Sequence, residues 1–469
     1  MISDSSAASL FFLIVAAVCV ILFYTSSNPS WRRTVLGAFG LIVVASQFST
    51  LSPITVILAF PLVSFSVTLL IAKFPNGWTL GLSTALSLIF FMAMKQYWFL
   101  PEFVTLSAFA SIGMSYILFR ALHVFVEVRN GLPIEAADIG RYYRYQISPF
   151  NFFAGPINNY EDFIDIDQNI SHVSLEQRRC SLGLCRLLIG LIKVVALSQL
   201  LYSGFLLAQQ SGALYYVLSA VLFIAYLYIN FSGYMDVMIG LGMIFGVEVP
   251  ENFDYPWMAK NFVDFWSRWH ITLSFFFRDY VFYPLLKTCA KFSNTRWQMT
   301  LYGALVSFVA FFLLGVWHGT TPMFIYLGVA LGIGVGINYV YSEWSSKSTN
   351  LKQSSLFRSL IDHIAGSSAV IYFAIVTSLV WPQTTSLPQA LNSFAIVFTF
   401  KGLCGLIAVL TALVLLRFLT NFLTKFKSSL QAIQSYLLPV TIAVLLVSNF
   451  LLFNIMASAP PPQVYYEDF

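Results

Sequence analysis

The chain has 469 residues, of which 58% are hydrophobic and only 10% charged, and its net charge is +5. A soluble domain carries about 25% charged residues; the deficit here is spread over many apolar runs, so a soluble protein is excluded and a polytopic membrane protein is expected. The small positive balance sits largely in short loops, as the positive-inside rule produces, and gives no reason to invoke nucleic acid.

Taken in order, the first apolar run is Leu10 to Tyr24, preceded by Asp4 and no basic residue. A secretory signal needs a positive n-region, so this run is expected to be an uncleaved first transmembrane helix. Further spans of roughly 20 apolar residues are expected near Val35–Phe48, Ile54–Ala72, Leu80–Met94 and Phe103–Phe119. After a polar break they resume near Leu182–Leu207, Ala213–Phe231, Met299–Val316, Met323–Tyr341, Ile364–Trp381, Phe394–Leu416 and Tyr436–Met456. The expected fold is all-α, with about 11 to 13 hydrophobic helices plus re-entrant or interfacial ones. Arg32, Arg33 and Lys73 follow the first and third spans, and Arg120, Arg129, Arg141 and Arg144 follow the fifth. That alternation places the N-terminus outside and the first loop in the cytoplasm.

The polar break from Glu127 to Arg179 is long for a compact domain and rich in aromatics, which argues against disorder. Basic and aromatic residues together suit a membrane interface, so short helices at the cytoplasmic leaflet are expected there. Ser345–His363 and Thr420–Gln434 read as cytoplasmic connectors. The whole is expected to be one membrane domain: N-terminal helices over 1–126, the interfacial segment over 127–180, a core over 181–341, and C-terminal helices with an aromatic tail over 342–469. The five cysteines, Cys19, Cys180, Cys185, Cys289 and Cys404, are scattered without zinc-ligand spacing and read as packing residues.

The polar chemistry concentrates between Glu251 and Gly319. His318 closes an apolar run, between Trp317 and Gly319. A histidine in a membrane span usually faces protein or a water-filled cavity, and imidazole exchanges a proton near neutral pH. The residues alone leave two roles open, proton acceptor or structural hydrogen-bonder. Gly315 and Gly319 would leave room beside the ring for a substrate. In Asp264-Phe265-Trp266-Ser267-Arg268-Trp269-His270, helical spacing would pair Asp264 with Arg268 and set Trp266 and His270 on one face. Arg268, Arg278 and Asp279 would form a buried ion-pair network or grip a donor's phosphates, with Asp236 as a structural partner of one of those arginines. His123, His172 and His363 lie near loops and are expected in solvent. Neither His270 nor His318 has a cysteine or carboxylate beside it at ligand spacing, so no metal is expected. No G-x-S-x-G elbow is present.

The central stretch resembles the membrane-bound O-acyltransferase family, in the bacterial branch that holds the alginate O-acetylase membrane subunit and the teichoic-acid D-alanyl transfer protein. The resemblance rests on Phe153-Ala154-Gly155-Pro156-Ile157, Ser232-Gly233-Tyr234-Met235-Asp236, Pro250-Glu251-Asn252-Phe253, Tyr255-Pro256, Asp264-Phe265-Trp266, Arg268-Trp269-His270, Arg278-Asp279-Tyr280 and Gly315-Val316-Trp317-His318-Gly319, in the family's order. It implies an acyltransferase of the inner or plasma membrane, built around a central tunnel. His318 would be the catalytic residue and His270 its assistant, with Trp266, Arg268, Trp269, Arg278 and Trp317 toward the substrates. Tyr465, in the aromatic and acidic end of the chain, would be the key residue of a tail near the site. The implied co-substrate is an acyl thioester, acetyl-CoA or an acyl carrier protein, delivered on the cytoplasmic side, with no bound cofactor. The implied acceptor is an envelope polysaccharide or glycopolymer, served by an extracytoplasmic partner protein. Acetyl is the first expectation for the acyl group and D-alanyl the second. Pro284-Leu285-Leu286-Lys287 replaces the glycines of many alginate-type members, which weakens any claim to alginate itself. A transporter or flippase and a non-catalytic scaffold are the alternatives from other classes.

Overall fold

The computed structural model describes residues 6–46, 48, 51–101, 113–152, 154–210, 216–345, 355–380, 388, 392, 395, 397–425, 441–442 and 444–449. Tyr465 and the C-terminal tail lie outside the described residues, as does most of the expected span Tyr436–Met456. So do Phe153, much of Phe103–Phe119, and most of the two late connectors.

The described chain is helical, and its one isolated antiparallel bridge joins Phe253 to Trp269. The helices are α1 (Ser6–Tyr24), α2 (Pro29–Ala45), α3 (Leu51–Lys73), α4 (Gly77–Lys95), α5 (Met114–Arg129), α6 (Ile139–Gln146), α7 (Tyr160–Asn169), α8 (Gln177–Ile192) and α9 (Ser198–Gln210). They continue as α10 (Tyr216–Phe245), α11 (Phe262–Trp266), α12 (Ile271–Phe277), α13 (Tyr283–Ala290), α14 (Arg296–His318), α15 (Met323–Ser345), α16 (Ser355–Val380) and α17 (Phe400–Lys425). Among the described residues seven helices are long and apolar enough to cross a membrane, and two shorter apolar helices, Phe11–Tyr24 and Ile364–Thr377, accompany them. The protein is an all-α polytopic membrane protein.

The chain divides into two compact units. The first holds Met1–Leu191, Met235–Pro250 and Val444–Phe469. In it Asn28 caps α2, its side chain accepting from the Ser30 and Trp31 amides. Arg32 is buried, donates to the Ile170 and Val173 carbonyls at 2.7 Å, and lies over the Phe23 ring. The polar break forms short helices, as expected: α6, α7 and a turn of 3₁₀ helix over Ala136–Asp138. Their charges converge on buried Asp167, which pairs with Arg33, Arg141 and Arg144. Three cations on one carboxylate offset the desolvation that a lone buried acid would suffer. His123, expected in solvent, is buried instead: its Nε2 accepts the Tyr160 amide at 2.9 Å, and burial lowers its pKa to about 4.

The expected span ending at Phe231 runs on to Phe245, carrying Ser232 to Asp236 inside α10. A membrane helix can carry an acid when a cation neutralises it, and Arg186 Nε meets Asp236 Oδ1 at 3.0 Å. This corrects the expectation that Asp236 pairs with Arg268 or Arg278, both of which are held by nearer carboxylates (below). One turn on, Gly240 of α10 faces Gly183 of α8, and a Cβ on Gly240 would come within 2.7 Å of the Leu187 amide nitrogen. Small residues at this crossing let the backbones meet.

The second unit holds Ile192–Tyr234 and Glu251–Ala443. Its spine is the α14–α15 hairpin. Thr295 and Gln298 form a reciprocal capping box that starts α14. Gly328, Gly332 and Gly336 follow one face of α15 at four-residue spacing and rest on Phe312, Phe308 and Ala304 of α14. A Cβ at Gly328 would lie 2.6 Å from the Phe312 carbonyl oxygen, and one at Gly332 would lie 2.8 Å from that of Phe308. At Gly328 every neighbour is Phe312 backbone, so no side chain can yield. Gly328→Val is therefore expected to destabilise the hairpin by about 3 kcal/mol, read as a lowered melting temperature in detergent; an unchanged melt contradicts this packing.

Candidate functional site

The segment from Glu251 to Ala290 is folded by its own punctuation. Tyr255 adopts a left-handed backbone, φ 43°, and Pro256 opens a 3₁₀ turn over Pro256–Met258. Asn261 caps α11 by accepting the Asp264 amide at 2.9 Å. Asp264 then does two jobs: Oδ2 accepts the Lys260 amide and Oδ1 accepts Arg268 Nε at 3.1 Å. The expected Asp264–Arg268 pair is present. Arg268 also reaches Asp254 Oδ2 at 2.9 Å, so it ties the ends of the motif together.

The expected common helical face of Trp266 and His270 is not formed. α11 ends at Trp266, and His270 takes a left-handed backbone, φ 46°, at the start of α12. The reason lies upstream, where the strand-like bridge Phe253–Trp269 and buried Asn252 draw the turn back on itself. The Ile271 amide donates to the Asn252 carbonyl at 3.0 Å.

His270 is 5% exposed. Its Nδ1 lies 3.3 Å from Asn252 Oδ1, and its ring stands edge-on to Phe231, 84° between planes and 4.9 Å between centroids. Burial pushes its pKa down to about 3, so the ring is neutral at physiological pH. A base whose folded pKa is depressed binds its proton more readily when unfolded. The stability it contributes is full above the ordinary value of about 6.5 and is lost as pH falls toward 3. At pH 5 the loss is about 2 kcal/mol. Relative to His270→Gln, the wild type is expected to lose more melting temperature between pH 7.5 and pH 5; parallel losses would contradict a buried neutral ring.

Around this turn Trp269 stacks on Phe265, with both against Phe373. Trp266 packs on Phe311 of α14 at 4.8 Å. Its indole Nε1 is buried with no hydrogen-bond partner among the described residues. Phe311 stands seven residues before His318, on the same stripe of α14 and roughly 10 Å along it. Trp266 thus packs the end of α11 against the stripe of α14 that His318 closes. His318 is the last residue of α14, half-buried, its ring 4.8 Å from that of Trp317. The glycines beside it differ from expectation. A Cβ on Gly315 would run into the backbone of Gly328, and one on Gly319 would meet the Phe324 ring, so both serve close packing.

Arg278 stands apart. It begins a π-helical turn over Arg278–Phe282, is half-exposed, bonds Asp279 at 2.8 Å and covers the Phe275 ring at 4.1 Å. Together with the Asp254–Arg268–Asp264 set, this makes local pairs at intermediate or exposed positions in place of one buried network. Among the described residues no three His, Cys, Asp or Glu side chains gather as metal ligands.

Two residues that matter to this turn were not singled out from the sequence. Asn252 sat inside a quoted motif without a role. Arg417 is 1% exposed in the apolar helix α17, donates to the Met258 and Ala259 carbonyls and reaches Ser367 Oγ at 3.3 Å. A buried arginine in such a helix is itself the signal. Beside it Trp257 Nε1 donates to Thr420 Oγ1 at 3.1 Å.

A sequence model of the membrane-bound O-acyltransferase family matches residues 77–379. Teichoic acid D-alanyltransferase of Bacillus subtilis is 28% identical over 242 residues, 50% of this chain and 60% of that protein. Peptidoglycan O-acetyltransferase of Helicobacter pylori is 32% identical over 198 residues, 41% and 36% of the two chains. A probable alginate O-acetylase of Pseudomonas fluorescens is 30% identical over 243 residues, 51% and 46%. The chain spans about half the length of the relatives it matches.

Proposed function

Because the chain belongs to the membrane-bound O-acyltransferase family, we propose that it moves an acyl group from a cytoplasmic thioester to a hydroxyl of a cell-envelope polysaccharide or glycopolymer, with His318 as proton acceptor. The observation that carries this is the family match itself, which encloses both histidines and the aromatic turn that carries His270. The relatives' names supply the substrate class: teichoic acid, peptidoglycan and alginate, with acetyl or D-alanyl as the transferred group. Acetyl is favoured, since two of these three names specify O-acetyl transfer.

In this account His318 removes the hydroxyl proton as the oxygen attacks the thioester carbonyl. A new ester C–O bond forms and the C–S bond breaks. The departing thiolate takes the proton from the imidazolium, which returns the histidine to its starting state. His270, neutral, orients the hydroxyl. Trp266, Trp269 and Trp317 wall the path against water, and Arg268 and Arg278 meet the phosphates of the donor, acetyl-CoA or an acyl carrier protein. An extracytoplasmic partner protein would complete delivery to the polymer.

The test is mass spectrometry of the envelope glycans before and after deletion of the gene. Loss of one ester supports the reading, and its mass names the acyl group. An unchanged ester inventory sends the assignment to another acceptor class or to a transporter.

A further inference from the structure

Asn252 is fully buried, and its side-chain oxygen gathers three groups. It accepts the Thr272 amide at 3.0 Å and the Thr272 hydroxyl at 3.0 Å, and it lies 3.3 Å from Nδ1 of His270. The identity of that atom is fixed by the backbone. An amide N–H only donates, so the Asn252 atom facing it is the oxygen, not the nitrogen. An amide oxygen only accepts. The Nδ1 atom that meets it therefore carries the ring proton, since two lone pairs at 3.3 Å would repel. In a neutral imidazole the other nitrogen then holds the lone pair.

We propose that Asn252 is a positioning residue that holds His270 in the Nδ1–H tautomer, making Nε2 the ring's hydrogen-bond acceptor and its point of contact with the hydroxyl of the acyl acceptor. The hydroxyl half of this statement rests on the acyl-transfer reading; the tautomer does not. Three further features fix the ring: the left-handed backbone at His270, the Phe231 edge, and the Ile271 amide on the Asn252 carbonyl. Burial keeps the ring uncharged, so the lone pair is not lost to a second proton. It follows that His270 offers no N–H to a developing oxyanion from Nε2. It orients a donor group, and proton removal is left to His318.

The experiment uses the full chain in lipid nanodiscs with ¹⁵N-labelled histidine, recorded at pH 8, with the His270→Gln spectrum assigning the His270 signals. The expected wild-type spectrum has a protonated Nδ1 and an unprotonated Nε2. Asn252→Asp, which keeps a side-chain oxygen, retains that pattern. Asn252→Leu mixes the tautomers and lowers the transfer rate by roughly 10- to 100-fold, with the aspartate variant recovering a measurable part. A protonated Nε2 in the wild type overturns the proposal, as does an unmoved tautomer in Asn252→Leu. The spectra need no substrate, so a wild type with the expected tautomer but no acyl transfer overturns only the enzymatic reading.

Discussion

Replacing His318 by alanine is expected to lower the rate of the proposed acyl transfer by about 10²- to 10⁴-fold, the share of a barrier that a positioned general base removes, while the protein stays folded. The second half of that expectation comes from packing. His318 is half-buried at the C-terminal end of α14, and the hairpin beneath it is held by glycine contacts that do not involve the imidazole. Turnover of a thioester donor by the variant in vesicles, set beside its melting temperature, separates the two effects. A rate within a few fold of wild type removes His318 from the chemistry and moves attention to His270.

Arg417→Leu is expected to cost about 3 kcal/mol of stability and most of the activity, although residue 417 lies far in sequence from both histidines. The guanidinium holds the Met258 and Ala259 carbonyls, and Gly366 brings α16 against the same Ala259 carbonyl. Leucine would leave buried acceptors unmade, at about 1–3 kcal/mol each. The 3₁₀ turn that leads into α11 would then loosen, and with it the register of Trp266 and His270. Arg417→Lys keeps the charge but not the fork, so it should recover part of the stability. Melting in detergent and vesicle turnover check both variants. A leucine variant with wild-type values would show that this clamp is dispensable.

These two positions also mark what the sequence could and could not disclose. The apolar span ending at His318 was legible because length and hydropathy are local properties; the expected Met299–Val316 lies within Arg296–His318, and the capping box adds the missing turn. The Asp264–Arg268 pair was legible for the same reason, as two residues one turn apart. The break at His270 was not, because the acceptor that holds it, Asn252, is 18 residues upstream and works through a left-handed turn that no helical periodicity describes. Asp236, carried inside α10 beyond the expected end of the span, meets its partner Arg186 50 residues away. Arg417 meets its carbonyl partners 159 and 158 residues away. The described site residues drawn from the resemblance do not all come together. Trp266, Trp269 and His270 share one aromatic cluster tied to α14, whereas Arg278 stands on a half-exposed turn with its own carboxylate.

The most direct measurement is envelope-glycan O-acylation in a deletion strain carrying either the wild-type chain or His318→Ala at equal protein level, read by mass spectrometry. The account predicts that the wild type restores one ester mass and the variant does not. Restoration of the ester by His318→Ala would contradict catalysis at this residue and favour a scaffold for an envelope-modifying complex.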